Sequence, residues 1–327
     1  MLNPNTLIEQ NDIQLIVETL AKKSTSTFAN KQEYLIKQAS HFAPKYRDFI
    51  IKVLSNESLK ISHEINEAYI TPMEIGLESF NFARKHKNSI TTDIYDPTNL
   101  PHELGHAVDF WFGIHQSLTN HVILSSEKTL REIFDQELES KREEILQTVM
   151  KEYKIVIDTN VPDLVSDIIM DNISLYLELR NLKENPRDKE VTKKRKIIQN
   201  QLYRSGFVDA YYRLHHMNKR FFSDFMERYY SVLDALSSKY DLKVFFLQYH
   251  TLSYYESSRT RPVQEFFANV FNAKVTAKDI EYEGLIKFFP QSLAAFEELF
   301  AIFYDHIQHN KPFTSVRTRK DINDGIL

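Results

Sequence analysis

The run His102-Glu103-Leu104-Gly105-His106 constrains this chain more than any other feature. Two side chains four positions apart share a face on an α-helix, so the segment must be helical for the two histidines to act together. The neighbouring residues agree with that. Thr98 or Asn99 can cap the helix, Pro101 suits its first turn, and Gly113 can end it. The spacing predicts a helix running through His102 to about Phe112. Its flank, Gly105 with Ala107-Val108-Asp109, is small and mostly apolar, as a closely packed helix needs.

On such a helix His102 and His106 can point two imidazoles at one metal ion, with Glu103 beside the ion but not on it. Metal-assisted peptide hydrolysis requires this arrangement. The ion polarises the scissile carbonyl and lowers the pKa of a bound water. Glu103 takes the proton from that water and hands it to the leaving amine. The chain contains 12 His and no Cys. Disulfides and thiolate ligands are excluded, and any metal must sit on nitrogen and oxygen.

Catalytic zinc takes three protein ligands and a water, so a third ligand has to come from elsewhere. The best candidate is Glu265, in Gln264-Glu265-Phe266-Phe267-Ala268-Asn269, a charged residue in the first turns of an apolar-faced helix. A capping role is the alternative for it. His115 and His121 compete as ligands, but the helix should stop at Gly113 and neither histidine is flanked by a packed element. Asp109, three residues after His106, and Asn269, four after Glu265, can orient the ligands from behind. His250, Tyr254 and Tyr255 can stabilise a developing oxyanion, with plain packing as the competing reading of each.

The motif His102-Glu103-Leu104-Gly105-His106-Ala107-Val108-Asp109, followed far downstream by Glu265-Phe266-Phe267-Ala268-Asn269, resembles the catalytic domain of lethal factor-like zinc metallopeptidases. The stretch Phe289-Pro290-Gln291-Ser292-Leu293-Ala294-Ala295-Phe296 is similar to the closing helix of that domain. The resemblance implies zinc on His102, His106 and Glu265, with Glu103 as general base. The pattern also resembles zincin-like domains of phage head-associated proteins and polymorphic toxins. Ser166-Asp167-Ile168-Ile169 and His250 to Tyr255 look like elements those domains carry between the two metal motifs. The likeness covers residues 75 to 310. Two features depart from it: a long insertion separates the motifs, and Ser258 stands where the lethal factor relatives place a tyrosine. That tyrosine's role passes to Tyr254 or Tyr255 if it is kept.

The rest of the chain reads mainly as helix. Residues 1 to about 70 are expected to be an amphipathic helical lead-in, 71–310 the zincin-like domain, about 140–235 a helical insertion, and 311–327 a tail. Ile90 to Tyr95 reads as a strand before the turn at Asp96-Pro97, which an extended substrate could join. The fold expected is α+β, predominantly helical, with a small sheet beside the motif helix. Lys193-Lys194-Arg195-Lys196 reads as a solvated helix face, with a contact surface as the alternative. Phe221, Phe222, Phe225, Tyr229 and Tyr230 read as core, and the helices after Pro262 and Pro290 as amphipathic.

The formal net charge of -4 gives no general argument for nucleic acid or an anionic membrane. No stretch is long and apolar enough to span a bilayer. The first residues lack a basic start and an apolar run, so no signal peptide is expected. Three function classes follow: a zinc endopeptidase acting on a protein, such as a toxin or effector; a structural protein keeping a zincin fold, such as a virion component; and a metal hydrolase with a non-peptide substrate. Glu103 argues for an enzyme, because a structural metal site has no need of that acid.

Overall fold

The structure is a computed structural model. It describes residues 4–23, 31–55, 60–64, 69–71, 74–78, 99–111, 118–120, 122–123, 125–160, 163–182, 189–208, 210, 223–240, 252–256, 258–309 and 316–317. The chain divides into two compact units. The first comprises Met1–Asp135, Val263–Tyr282 and Phe289–Leu327; the second comprises Gln136–Pro262 and Glu283–Phe288.

In chain order the elements are α1 (Pro4–Lys23), α2 (Lys31–Ser40), α3 (Arg47–Leu54), β1 (Lys60–Glu64), β2 (Tyr69–Thr71), β3 (Glu74–Glu78) and α4 (Asn99–Trp111). Then come β4 (Val122–Ile123), β5 (Lys128–Thr129), α5 (Leu130–Asn160), α6 (Asp163–Asn181), α7 (Lys189–Arg204) and α8 (Ser223–Ser237). The chain continues through α9 (Leu252–Glu256), α10 (Arg261–Val275), α11 (Asp279–Phe288), α12 (Pro290–His309) and β6 (Val316–Arg317). The fold is predominantly helical, with small sheets.

The helical reading of residues 1 to 70 holds only as far as Leu54. Beyond it β1 pairs parallel with β3, and β2 pairs antiparallel with β3, in the order β1-β3-β2. The physical reason lies in the spacing. Ile75 and Leu77 alternate with Glu74, Gly76 and Glu78, the period of two that suits a strand. The first helices are also not a detached lead-in. Phe49 of α3 is fully buried. Its ring stacks on Tyr304 at 5.1 Å and meets Phe300 and Phe303 of α12 at 5.6 Å each, and Phe271 of α10 at 6.4 Å. The Ala43 N–H donates to the Val275 carbonyl at 2.8 Å, tying the chain after α2 to the end of α10.

The motif helix α4 packs on β3 and β2, so a small sheet does lie beside it. The strand expected at Ile90 to Tyr95 lies outside the described residues. In the second small sheet β4 pairs antiparallel with both β5 and β6, in the order β5-β4-β6. Leu130 begins α5, and Thr129 caps it with Glu132 in a reciprocal box. The Glu132 N–H donates to the Thr129 hydroxyl at 3.1 Å, and the Thr129 N–H to the Glu132 carboxylate at 2.8 Å.

The helix after Pro262 differs from expectation. From Val263 to Val275 every residue of α10 but Gln264 and Lys274 is buried, so it is a central helix rather than an amphipathic one on the surface. By contrast, α12 buries Leu293, Phe296, Leu299, Phe300 and Phe303 at helical spacing, as an amphipathic helix should.

The second unit is built of helices. Phe225 and Tyr229 of α8 are buried, with ring centroids 5.0 Å apart, and Phe225 meets Tyr153 of α5 at 5.5 Å. Tyr230 is partly buried, and Phe221 and Phe222 lie outside the described residues. Among the described residues no helix is long and apolar enough to cross a membrane.

Candidate metal centre

Two helices of the first unit build the centre. The motif helix α4 runs Asn99–Trp111, and α10 crosses it at Gly105. A Cβ at Gly105 would stand 2.7 Å from the Ala268 Cα and 3.1 Å from the Ala268 carbonyl oxygen, far inside van der Waals contact. The missing side chain lets the two backbones approach at this point. Glu265 sits one turn before Ala268, and His102 and His106 flank Gly105 by three positions and one. The close crossing therefore brings the far-downstream carboxylate to the two imidazoles.

The outcome is a compact donor set. Glu265 Oε2 lies 3.2 Å from His102 Nε2 and 3.4 Å from His106 Nε2. The three donor atoms all lie within 4.8 Å of one another, and the imidazole rings stand nearly perpendicular, at 89°. His106 and Glu265 are buried, whereas His102 keeps 16% of its side-chain surface exposed. These residues form a cluster able to hold a metal ion. Donors roughly 2.0–2.1 Å from a tetrahedral ion stand about 3.3 Å apart, which matches the two measured separations. Two neutral nitrogens and one carboxylate oxygen also suit zinc chemically.

Electrostatics couple the three groups. Burial pulls the His102 and His106 pKa values down, but the Glu265 carboxylate overrides it, with help from Glu103, and both are raised, His106 to about 9. Burial pushes Glu265 up, but the two imidazoles outweigh it and hold its carboxyl well below the usual range. Glu103 is itself buried, at 5% exposure, and its charge acts on both histidines. Asp109 is fully buried, and its charge also raises His106.

Asp109 has a partner the sequence did not suggest. The Thr119 N–H donates to Asp109 Oδ1 at 2.8 Å, and the Thr119 hydroxyl lies 3.4 Å from Oδ2. Thr119 belongs to a short turn, Leu118–Asn120, packed against α4. No spacing rule would single it out, because the two residues lie ten positions apart in different elements. Asn269 is buried in α10, one turn beyond Glu265.

The other sequence candidates belong to the second unit or lie outside the described residues. Tyr254 and Tyr255 belong to α9, in the second unit. The Tyr255 hydroxyl donates to Asp234 Oδ1 of α8 at 2.6 Å, and both are buried. The Arg261 guanidinium lies 4.3 Å from the Tyr254 ring centroid and donates to the Tyr254 carbonyl at 2.9 Å. His115, His121 and His250 lie outside the described residues. Ser166 to Ile169 lie within α6, where Asp167 is exposed and Ile169 buried.

Two expected results arise from this geometry. Gly105→Ala should cost about 1–3 kcal/mol through overpacking, and it should weaken metal binding because α10 must shift with Glu265 on it. Denaturant unfolding and a metal titration check both. Unchanged stability and unchanged metal affinity would mean that the crossing yields without moving Glu265.

The second result concerns pH. With no cation between the three groups, the raised histidines stabilise the fold fully below their ordinary value of 6.5, and this is lost on alkalinisation above it, for His106 as pH rises through about 9. The lowered Glu265 stabilises it above its ordinary 4.5, and this is lost on acidification below that value. The cluster therefore favours the chelated protein most between about pH 4.5 and 6.5. Metal binding requires neutral imidazoles, so the rise in melting temperature on adding zinc should grow from pH 6 to pH 9. Thermal melts in chelator and in excess zinc test this, and a rise independent of pH would contradict it.

Comparison of the chain with protein-family models, with curated proteins and with solved structures finds no match in any of the three.

Proposed function

We propose that this chain is a zinc-dependent endopeptidase with a zincin-like catalytic unit, acting on a protein substrate as a toxin or effector does. The observation that carries the reading is the position of Glu265. A carboxylate remote in sequence lies 3.2 and 3.4 Å from the two imidazole nitrogens of the His-Glu-x-x-His helix. A buried carboxylate set against one buried and one largely covered histidine is costly to desolvate, which a shared cation would offset.

Bound there, zinc supplies Lewis acidity toward a peptide carbonyl. His102 and His106 would hold it as neutral imidazoles, and Glu265 through its carboxylate. Glu103 follows His102 directly on α4 and holds a buried carboxylate beside the same imidazoles. It accepts a proton from the attacking water at a carboxylate oxygen. As the carbon–nitrogen bond breaks, it delivers that proton to the departing amine. Asp109, fixed by Thr119, keeps a negative charge near His106 and favours its coordination.

Elemental analysis of the purified protein, combined with digestion of a peptide library, tests the function. One zinc per chain with peptide cleavage is the expected result. Zinc without cleavage would point to a hydrolase of another substrate, and no zinc to a structural protein.

A further inference from the structure

The helix α7, in the second unit, has two unlike faces. On one, Ile198 and Leu202 are buried, and Arg195 donates to the backbone carbonyls of Leu179 and Leu182. Lys194 pairs with Glu178 at 2.7 Å. The opposite face carries Lys189, Lys193, Lys196 and Arg204, all exposed and without an ion-pair partner among the described residues. Their steps of three, four and eight positions set them on one stripe. Ile197 and Tyr203 share this side of the helix, 49% and 75% exposed. The helix has one acidic residue, Glu190. Like charges at such spacing weaken an isolated helix, so the stripe is not a stability device.

A groove of about 430 Å³ adjoins the stripe. Tyr176, Tyr203, Phe207 and Val208 line it, together with Gln199 and Asn200. Tyr176 and Phe207 meet at 5.0 Å. Asn200 and Tyr203 belong to both stripe and groove, so the two are continuous. The groove has room for a bulky apolar side chain, and the Gln199 and Asn200 amides can pair with a peptide backbone. The unpaired cations alongside call for carboxylates.

We propose that this stripe and groove bind an extended acidic segment of a partner protein, with one bulky apolar side chain seated in the groove. A concave apolar hole suits a side chain better than the flat face on which a nucleic acid base would stack. A lipid surface would use the cations but leave the groove unfilled.

Fluorescence anisotropy on the full chain tests this, with synthetic labelled peptides of about eight residues, the extended length that spans the helix. The probes are an Asp/Glu-rich peptide with one central Leu, the same peptide with Ser for Leu, and a Lys-rich counterpart. A labelled oligothymidylate and phosphatidylserine vesicles complete the set. The acidic Leu peptide should bind saturably, and the Ser and Lys-rich peptides at least about tenfold more weakly. The double variant K193E/K196E should lose about tenfold or more in affinity. Tyr203→Ala should remove the preference for Leu over Ser. All three positions are exposed, and unchanged melting temperatures verify that the fold is kept. Binding should be equal in Glu103→Gln, so the outcome does not depend on whether the chain hydrolyses peptides. No saturable binding of the acidic peptide, binding indifferent to these variants, or tighter binding of the oligonucleotide or the vesicles would overturn the proposal.

Discussion

Glu265→Ala is expected to lose zinc by more than about a hundredfold in affinity, beyond the 10- to 100-fold that loss of an outer-shell partner costs. The reason is the donor count. Two histidines on one helix fix two coordination positions, and the only carboxylate oxygen in the described cluster belongs to Glu265. The substitution also changes the protein without metal. Glu265 is the main charge that keeps His102 and His106 protonated despite burial. Removing one partner of a buried charged set costs about 3–5 kcal/mol when the remaining charge stays. Here the histidines can shed their protons, so the loss should be smaller above pH 6.5 than below it. Zinc titration followed by competition with a chelator reads the affinity, and melts at pH 5.5 and 8 read the stability. Wild-type affinity in the variant would move the third ligand to another residue.

Glu103→Gln is expected to keep zinc and to lower hydrolysis by about 10²- to 10⁴-fold, the usual contribution of a positioned general base. Glutamine has nearly the same shape, so the packing of α4 should stay and both histidines should remain in place. What changes is chemical: an amide cannot accept a proton from water at neutral pH. The competing view, a buried acid serving only to pack or pair, predicts normal turnover. The fractional zinc content must be measured on the same preparation as the rate. Loss of zinc would make Glu103 a structural element of the centre instead.

Much of the site was legible because helical spacing is a short-range rule. His102, Glu103 and His106 follow from one turn of helix, and α4 occupies Asn99–Trp111 much as capping and periodicity imply. Glu265 was reachable by an indirect signal, a charge in the first turns of an apolar-faced helix. The degree of burial of α10 was not legible, because Ala, Asn and Gln dilute its apolar pattern while the surrounding elements still enclose it. The strands at 60–64 and 74–78 were missed for a related reason. They are five residues each, and their alternation is carried by one or two apolar side chains. The tie between Asp109 and Thr119, and the close approach of Gly105 to Ala268, are tertiary contacts. The sequence hints at the second through a small residue in a packed helix, but it does not name the partner.

The most direct measurement follows new amino termini in a proteome-derived peptide library incubated with the full chain. The same preparation is used as zinc-loaded protein, after chelation, and after zinc is restored. Termini are expected to appear with zinc, vanish on chelation and return with zinc at the same sequences. Termini that persist after chelation, or that never appear in a protein carrying one zinc per chain, would contradict it.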